Sequence, residues 1–536
     1  MSQPVDDVKP AGITILAIAA SVGAHILALA VPLALLQTYD RILPNEAYAT
    51  TFVLAAGVIV AILLEALLRY GRAVLFAHVG AAFESRMTVH LFDRLMRTNA
   101  KTVHALGVPA LLDAVRAVGQ VRDFWSGNAA AALHELPFVL TYIALIAYIA
   151  SWLALIPLGL TIIALLAALL VARATTSAIR DVETAEAHRR DLAWGIFGGL
   201  VEVKAMAAET MLTRRYRDAV AHSMNASARV ENRMTLIREN GMLLAQISTI
   251  AVVTIGAFMV VNGQLTTGGL AACTLLAGRS IGPAMGAFVY LSRLGYRDEA
   301  KRKIERVLSL PEAPLWSGGN GEEIFHGGTI DISGRTIGGG LVSIRQGSVV
   351  HVDAADVLTA TALLESVARL DDSLDLNITF DGLPSAAYNS LSLKRSIAMV
   401  SARTELIRGS LLDNLTLFSP QYNADAISLT QRLGLNVFVD SLRQGLMTSM
   451  GPASRGIVSP GIAVRIGLIR ALVRRPAILC LDEIGGALDL DGMRKLIEIL
   501  QELKGHITVF LVSGNPILLQ LADQKIRVER GVDHER

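Results

Sequence analysis

The chain has 536 residues, of which 52% are hydrophobic and 18% charged. With a mean hydropathy of +0.48, this composition indicates a membrane protein with room for two or more domains. The net charge of +2 gives no indication of nucleic-acid binding. Cys273 falls in a predicted membrane span and Cys480 in a predicted buried strand, so neither indicates a disulfide or a metal site.

Six apolar stretches approach the length of about 20 residues that a helix needs to cross a bilayer. Asp6, Asp7 and Lys9 precede the first stretch and no small-residue cleavage site follows it, so we interpret it as a retained span rather than a signal peptide. The predicted spans are Gly12–Leu36, Ala47–Leu68, Ala129–Ile149, Trp152–Ala172, Gly241–Val261 and Gly268–Leu291.

The distribution of lysine and arginine predicts how the spans are oriented. The three short loops contain one basic residue, Arg41, whereas the long connections 69–128 and 173–240 carry many. By the positive-inside tendency, we expect the long connections and both termini on the cytoplasmic side. The basic residues recur among apolar ones at helical spacing, so each span is predicted to continue as a helix into the cytoplasm.

A change in composition near residue 311 predicts a domain boundary. Pro311 and Pro314 are followed by the Gly/Ser-rich stretch Ser317–Gly321, so we place a linker at 311–323 between a membrane domain, 1–310, and a second domain, 324–536. In the second domain, short β-branched runs alternate with helical patterns, as in a parallel α/β domain. The predicted fold class is therefore an α-helical membrane domain with six spans, followed by an α/β domain.

Two adjacent carboxylates mark the strongest candidate site in the second domain. The apolar run Ala477–Leu481 is predicted to be a buried strand of a parallel sheet, and it ends at Asp482 and Glu483. A short helix is predicted upstream, over Val464–Arg474. Carboxylates at the end of such a strand lie where α/β folds bind ligands. Asp482 could hold Mg²⁺ through water, and Glu483 could orient an attacking water.

This layout of a loop, a helix, a strand with two carboxylates and a following turn resembles the nucleotide-binding domain of ABC transporters. The six spans with long cytoplasmic extensions resemble the ABC exporter membrane domain, and the absence of a long segment before the first span implies that no N-terminal peptidase-like domain is present. Five sequence strings, found in the same order, make the chain resemble type I secretion exporters in particular. They are QTYDRILPN (Gln37–Asn45), LFDRLMR (Leu91–Arg97), VRAVGQVRDFWSG (Val115–Gly127), SWLALIPL (Ser151–Leu158) and GGLVEVKAMAAE (Gly198–Glu209). The last string stands where that family has its second coupling helix.

The resemblance implies a phosphate-binding loop whose glycines and lysine hold nucleotide phosphates. At the corresponding positions this chain has Ala354 and Thr359 for the glycines and Ala360 for the lysine, while Thr361 keeps the hydroxyl that would reach Mg²⁺. Without glycine the loop cannot easily adopt positive φ angles and approach the phosphates. We therefore predict that no working phosphate loop is present.

Neighbouring positions point the same way. Asp353 and Asp356 would repel phosphate, and the helix after the loop is predicted over Ala362–Leu370. By the resemblance, Ala402 stands at the Q-loop glutamine and Gly514 at the switch histidine. No aromatic residue stands at the adenine-stacking position near Ile330–Gly338.

These losses leave no intact catalytic residue and no metal site of the chain's own. Asp482 and Glu483 are retained, and we interpret them as hydrogen-bonding groups at the strand end rather than as residual catalysts.

The signature loop allows two interpretations. Where the family has LSGGQ, this chain has VSPGI, with Ser459 and Gly461 retained. By the resemblance, these two residues would face the γ-phosphate on an opposing subunit and complete its ATP site. Alternatively, Ser-Pro-Gly is a turn that initiates a helix. Both interpretations stay open at this point.

Ionisable residues inside the spans are functional candidates, because an intramembrane charge is costly. Glu65, His134 and Glu135 lie toward the predicted cytoplasmic ends, where water is near. His25 and Arg279 are the better candidates for lining a translocation path.

Together these features indicate an inactive half of a heterodimeric exporter in the bacterial inner membrane, with ATP and Mg²⁺ bound by an ATP-competent half-transporter. The resemblance further implies a periplasmic adaptor (membrane fusion) protein, an outer-membrane channel and a secreted RTX-type protein substrate, with membrane lipids around the chain and no nucleic acid. A homodimeric scaffold or channel component that works without ATP is the main alternative. A peptide, lipid or glycan substrate also remains open, whereas the loss of the loop lysine argues strongly against an ordinary ATP-driven exporter.

Overall fold

The computed structural model describes residues 11–126, 128–313, 321–337, 340–371, 373–402, 404–451, 454 and 457–529. These residues form two compact units. One comprises Met1–Met96 and Leu106–Leu310, and the other comprises Arg97–Ala105 and Pro311–Arg536.

The first unit is built from long helices, and the six predicted spans fall on them with differences of a few residues at some ends; the first span, Gly12–Leu36, is divided between two helices. Four of these helices continue well beyond their apolar stretch, as the sequence predicted. The helices are α1 (Ala11–Ala28), α2 (Ala30–Gln37), α3 (Tyr48–Arg97), α4 (Ala100–Ser126), α5 (Asn128–Ala150), α6 (Leu155–Gly198), α7 (Leu200–Ala205), α8 (Glu209–Val261) and α9 (Thr267–Leu308).

Within the described residues, four stretches are long and apolar enough to cross a membrane: Ile15–Ile42, Tyr48–Arg97, Glu135–Gly198 and Glu209–Val261. The third is 64 residues long and contains the predicted span Trp152–Ala172 and most of the predicted span Ala129–Ile149. They meet at the 3₁₀ turn Ser151–Ala154, where Ser151 adopts a positive φ of 50°. Many large apolar side chains on these helices are exposed, as expected where lipid rather than protein surrounds a helix.

The second unit contains a five-stranded parallel sheet in the order β11-β3-β10-β9-β6, a four-stranded antiparallel sheet in the order β2-β1-β4-β5, and the pair β7-β8. The strands are β1 (Ile330–Ser333), β2 (Leu341–Ile344), β3 (Val349–Ala354), β4 (Asn377–Phe380), β5 (Leu383–Pro384), β6 (Ile397–Ser401), β7 (Gly409–Ser410), β8 (Ser449–Met450), β9 (Ile478–Asp482), β10 (Thr508–Val512) and β11 (Gln524–Val528). The helices are α10 (Val357–Val367), α11 (Ser390–Ser396), α12 (Leu411–Thr416), α13 (Asn423–Arg432), α14 (Asn436–Ser441), α15 (Pro460–Leu472), α16 (Leu490–Leu503) and α17 (Pro516–Leu519).

The strand predicted at Ala477–Leu481 is β9, which lies inside the parallel sheet between β10 and β6. All five of its residues are buried. Its alternating side chains fill two cores, because Leu479 and Leu481 pack on one face of the sheet and Ile478 and Cys480 on the other. The α/β prediction for this part of the chain is therefore confirmed.

The second unit also includes a short segment from far upstream, Arg97–Ala105, which the sequence analysis had placed in the membrane domain. Asn99 Nδ2 donates to Asp371 Oδ1 at 2.9 Å, and Lys101 Nζ lies 3.2 Å from Asp371 Oδ2. The backbone N–H of Ala313 donates to the carbonyl of Arg97 at 2.8 Å. These bonds between residues distant in sequence are the physical reason for the difference. The predicted linker, 311–323, lies partly outside the described residues.

Candidate functional site

The candidate site lies at the edge of the parallel sheet where β3, β9 and β10 end. Parallel strands direct their carboxyl ends to the same edge, which is where α/β folds bind ligands. The loop after β3 leads into α10, and the turn after β9 carries Glu483. This topology places the predicted phosphate loop beside the two carboxylates.

Thr361 and Asp482 are brought together directly. Thr361 Oγ1, in the second turn of α10, donates to Asp482 Oδ1 at 2.9 Å. Asp482 is 9% exposed. Burial raises the pKa of Asp482 above its ordinary value; the hydrogen bond from Thr361 opposes this shift, and the nearby charge of Glu483 adds to it. The hydroxyl that would reach Mg²⁺ is thus already bonded within the chain.

Glu483 is held by its backbone rather than by its side chain. It adopts the left-handed region, with a φ of 50°, and its N–H donates to the carbonyl of Val512 at 3.0 Å. Its side chain is exposed. The strand-end arrangement therefore anchors Asp482 by a side-chain hydrogen bond, whereas the carboxylate of Glu483 points away from the core.

The phosphate loop differs from the prediction in where its helix begins. We predicted a helix over Ala362–Leu370, but α10 spans Val357–Val367. The reason is Asp356, which is the N-cap: its Oδ1 accepts from Thr359 N at 2.8 Å and its Oδ2 accepts from Thr359 Oγ1 at 3.0 Å. An N-cap carboxylate stabilises a helix start by satisfying a backbone donor and by lying at the positive end of the helix dipole.

This arrangement opposes the binding of an anion at the start of α10. A helix N-terminus attracts an anion through its free N–H groups, but here a carboxylate of the same chain takes up one of them. Ala360, at the lysine position, is 3% exposed and lies in the core under the parallel sheet. The other aspartate of the loop, Asp353, is paired with Lys525, whose Nζ lies 3.0 Å from its Oδ2. The loop thus offers a negative charge where phosphate would need a positive one.

Two further predicted positions around this edge, Ala402 and Gly514, have no polar side chain. The N–H of Ala402 donates to the carbonyl of Asp482 at 3.1 Å, so Ala402 follows β6 at the same edge, but with only a methyl side chain. Gly514 is exposed, with open space around its Cα. Of the stretch expected to stack on adenine, Ile330–Ile337 is described and Gly338 lies outside the described residues. Within the described part of the chain, no group of three or more His, Cys, Asp or Glu side chains could hold a metal ion.

The signature loop forms the start of α15, four residues before the helix start predicted at Val464. Ser459 is its N-cap, with Oγ accepting from the N–H of Ile462 at 3.4 Å, and Pro460 occupies the first helical position. A Cβ on Gly461 would lie 2.9 Å from the carbonyl oxygen of Ala487, so only glycine fits without a shift. Both residues therefore have roles within this chain, independent of any nucleotide.

Most charges inside the spans are paired with one another in the first unit. Arg72 donates to Ser21 Oγ at 2.9 Å and forms an ion pair with Glu135 at 3.0 Å. Arg69 forms an ion pair with Glu65 at 2.9 Å. The side chain of His134 lies outside the described residues. Arg72 thus links α3 to α1 and α5, whereas the pair of Arg69 with Glu65 lies within α3.

The two residues predicted for a translocation path have different surroundings. His25 is 5% exposed; its ring stacks on Phe138 with centroids 4.0 Å apart, and its Nδ1 lies 2.9 Å from Tyr142 Oη. Arg279 is exposed, although its Nη1 donates to the carbonyl oxygen of Ala28 at 2.9 Å. Of these two residues, Arg279 is the exposed one and His25 the buried one.

Sequence reasoning missed the role of Asp356. It treated this residue as a source of repulsion, although an aspartate followed by an uninterrupted helix-forming run is a recognised helix-start signal. The run Val357–Val367 contains no glycine or proline, so that signal was present. The grouping of Asn99 with Asp371 had no comparable local signal.

Comparison with known sequences finds a matching family and related proteins. Residues 14–283 match the family described as the ABC transporter transmembrane region. Cyclolysin secretion/processing ATP-binding protein CyaB of Bordetella pertussis is 26% identical over 520 residues, covering 94% of this chain and 72% of CyaB. Alpha-hemolysin translocation ATP-binding protein HlyB of Escherichia coli is 23% identical over 526 residues, covering 95% of this chain and 73% of HlyB.

A solved structure confirms the fold class over both parts of the chain. It is described as a bacterial Atm1-family ABC exporter with ATP bound, and it superimposes with a TM-score of 0.81 at 17% identity. The match covers 98% of this chain and 94% of that one. The predicted order of a helical exporter membrane domain followed by an α/β domain is therefore confirmed.

Proposed function

The chain belongs to the ABC transporters, and from this membership we propose that it is a catalytically inactive half of an ABC exporter that pairs with an ATP-competent half-transporter. It has the fold of an exporter half, with a helical membrane domain and one nucleotide-binding-type domain. Members of this family bind ATP and Mg²⁺, and this chain has Ala360 where the resemblance implies the phosphate-binding lysine. The proposal assigns that binding to the partner.

One observation carries the proposal: the carboxylate of Asp356 caps α10 at the place where nucleotide phosphates would bind. Ala360 cannot supply the lysine charge, and Thr361 is bonded to Asp482. Because three groups needed for phosphate and Mg²⁺ are absent or engaged elsewhere, the chain's own site takes no part in hydrolysis.

On this proposal the chain contributes its membrane helices to the transport path and its signature loop to the partner's ATP site. Ser459 would donate to the γ-phosphate held by the partner, and Gly461 would allow close backbone approach. The contacts of Ser459 and Gly461 within the chain support a rigid start of α15. A loop that binds the nucleotide of another subunit requires such rigidity.

We propose a secreted protein of RTX type as the substrate. The support is the naming of the curated relatives, which are described as acting in cyclolysin secretion and alpha-hemolysin translocation, together with the five strings noted above. A periplasmic adaptor protein and an outer-membrane channel are the corresponding partners. The chain would lie in the bacterial inner membrane with both termini in the cytoplasm, divided into domains at 1–310 and 324–536.

The experiment has two arms. First, the chain purified alone in detergent should release no more phosphate from ATP than its E483Q variant does. Second, a native pull-down should recover a second half-transporter with an intact phosphate loop. Glu483-dependent hydrolysis by the chain alone would refute the inactive-half assignment. A homodimer that supports secretion without a second half-transporter would instead favour the ATP-independent scaffold.

A further inference from the structure

We infer that Asp356 is an internal anion that closes the phosphate loop of this chain to nucleotide, so that the loop excludes phosphate by occupancy as well as by lacking lysine. The inference rests on the proposed function, since it concerns the same loop. It goes further by naming a residue of this chain that opposes the binding of an anion in the loop.

The geometry gives the first argument. Both carboxylate oxygens of Asp356 are used on Thr359, one on the backbone N–H and one on the hydroxyl. The backbone N–H at this position is among the donors that a helix start offers to phosphate. A phosphate approaching α10 would have to displace a carboxylate that is covalently part of the chain and therefore always present at high effective concentration.

Charge gives the second argument. Asp353, directly after the buried Val352, forms an ion pair with Lys525 at 3.0 Å. The carboxylate of Asp356 lies on the helix start, where it would repel an incoming phosphate. Because the repulsion and the missing lysine are separate obstacles, restoring the glycines and the lysine while Asp356 remains should give only weak binding.

Two variants in which the loop residues of the family are restored (repaired loops) distinguish the effect of the Asp356 charge from that of the missing lysine. The first carries A354G, T359G and A360K, which restores the glycines and the lysine but keeps Asp356. The second adds D356N, which removes the charge while keeping a side-chain oxygen that caps a helix about as well as aspartate does. A third variant adds D353N to the first loop instead, as a matched control that removes an aspartate of the same loop whose carboxylate lies on Lys525 rather than on the helix start.

Binding of Mg²⁺-ATP to the full chain in detergent is measured by calorimetry, with thermal unfolding as the check that each variant is folded. We expect no binding at millimolar ATP by the natural chain and weak binding by the first repaired loop. The loop with D356N should bind roughly tenfold or more tightly than the first, because a like charge a few ångströms from the phosphates is gone. The D353N control should change affinity much less.

Equal affinities with and without D356N would show that Asp356 only caps the helix. A folded D356N loop that still binds no ATP would overturn the inference as well, as would millimolar binding by the natural chain. The proposed function is tested by other measurements, namely ATP turnover by the natural chain and the identity of its partner. The natural chain could be inactive and correctly paired while the two repaired loops bind alike.

Discussion

Arg279 Nη1 donates to the carbonyl oxygen of Ala28 at 2.9 Å, and this carbonyl lies four residues before Pro32. In an uninterrupted helix, the N–H of residue 32 would bond this carbonyl, but proline has no N–H to give. Helix α1 accordingly ends at Ala28, and α2 begins at Ala30. The guanidinium of α9 thus satisfies the backbone acceptor that Pro32 leaves open, so Arg279 has a structural task besides the translocation role suggested by its exposure.

Replacing Arg279 should therefore destabilise the break between α1 and α2. Ala28 is 1% exposed, and leaving a buried acceptor unpaired costs about 1–3 kcal/mol. We expect R279A to lower the unfolding temperature in detergent. P32A in the same background should recover much of the loss, because alanine at position 32 supplies the missing N–H.

The matched comparison is P32A alone, which should have little effect while Arg279 is present. If the destabilisations by R279A and P32A simply add, the two residues do not share this carbonyl, and the structural role of Arg279 is wrong.

The raised pKa of Asp482 predicts a pH-dependent stability of the second unit. Burial favours the protonated form, so the folded-state pKa lies above that of the unfolded chain. The stability that this group contributes is fully present below its unfolded pKa of about 3.9 and is lost as the pH rises through the folded-state pKa. D482N should remove this loss and still accept the hydrogen bond from Thr361.

We therefore expect D482N to unfold a few degrees above the natural chain at neutral pH, with the difference shrinking as the pH falls toward 4. Thermal unfolding at a series of pH values measures it, and T361V serves as a control that removes the hydroxyl alone. A D482N variant that is less stable at neutral pH would show that ionised Asp482 has a favourable partner that this structure does not contain.

Substitutions of Ser459 test whether the signature loop contributes to the partner's ATP site or is only a turn that initiates a helix. If it donates to the partner's γ-phosphate, losing a charge-assisted hydrogen bond worth roughly 1.5–3 kcal/mol should slow ATP turnover of the reconstituted pair by about ten- to a hundredfold in S459A. S459R should do more, because its bulk would block closure. E483Q in this chain should change turnover little.

The N-cap role of Ser459 requires its own control. S459D retains a side-chain oxygen that can cap α15 but has no hydrogen to donate to a phosphate, so a turnover loss that S459D fully rescues belongs to the cap rather than to the phosphate. Near-natural rates in S459A and S459R would mean that Ser-Pro-Gly is only a turn. A collapse in E483Q alone would place the active chemistry in this chain.

Local patterns predicted much of this fold, and long-range contacts account for what they missed. The spans and β9 follow from apolar length, which is a property of neighbouring residues. The predicted start of α10, Ala362, is five residues too late. The prediction considered only the repulsion between Asp356 and a phosphate and did not consider Asp356 as the N-cap of the helix. The bonds of Asn99 and Lys101 to Asp371 join residues that no local pattern relates.

The second unit is discontinuous along the chain, because it includes Arg97–Ala105 as well as the residues from Pro311 onward. Burial alone would raise the pKa of Asp371, but hydrogen bonds from Ser373, Asn99 and Lys101 lower it below its ordinary value. A single proteolytic cut before Pro311 would release a fragment that lacks two of these three donors, leaving a poorly solvated carboxylate. A soluble fragment faithful to the whole protein is therefore a two-piece complex, in which a synthetic peptide covering 97–105 is supplied in trans.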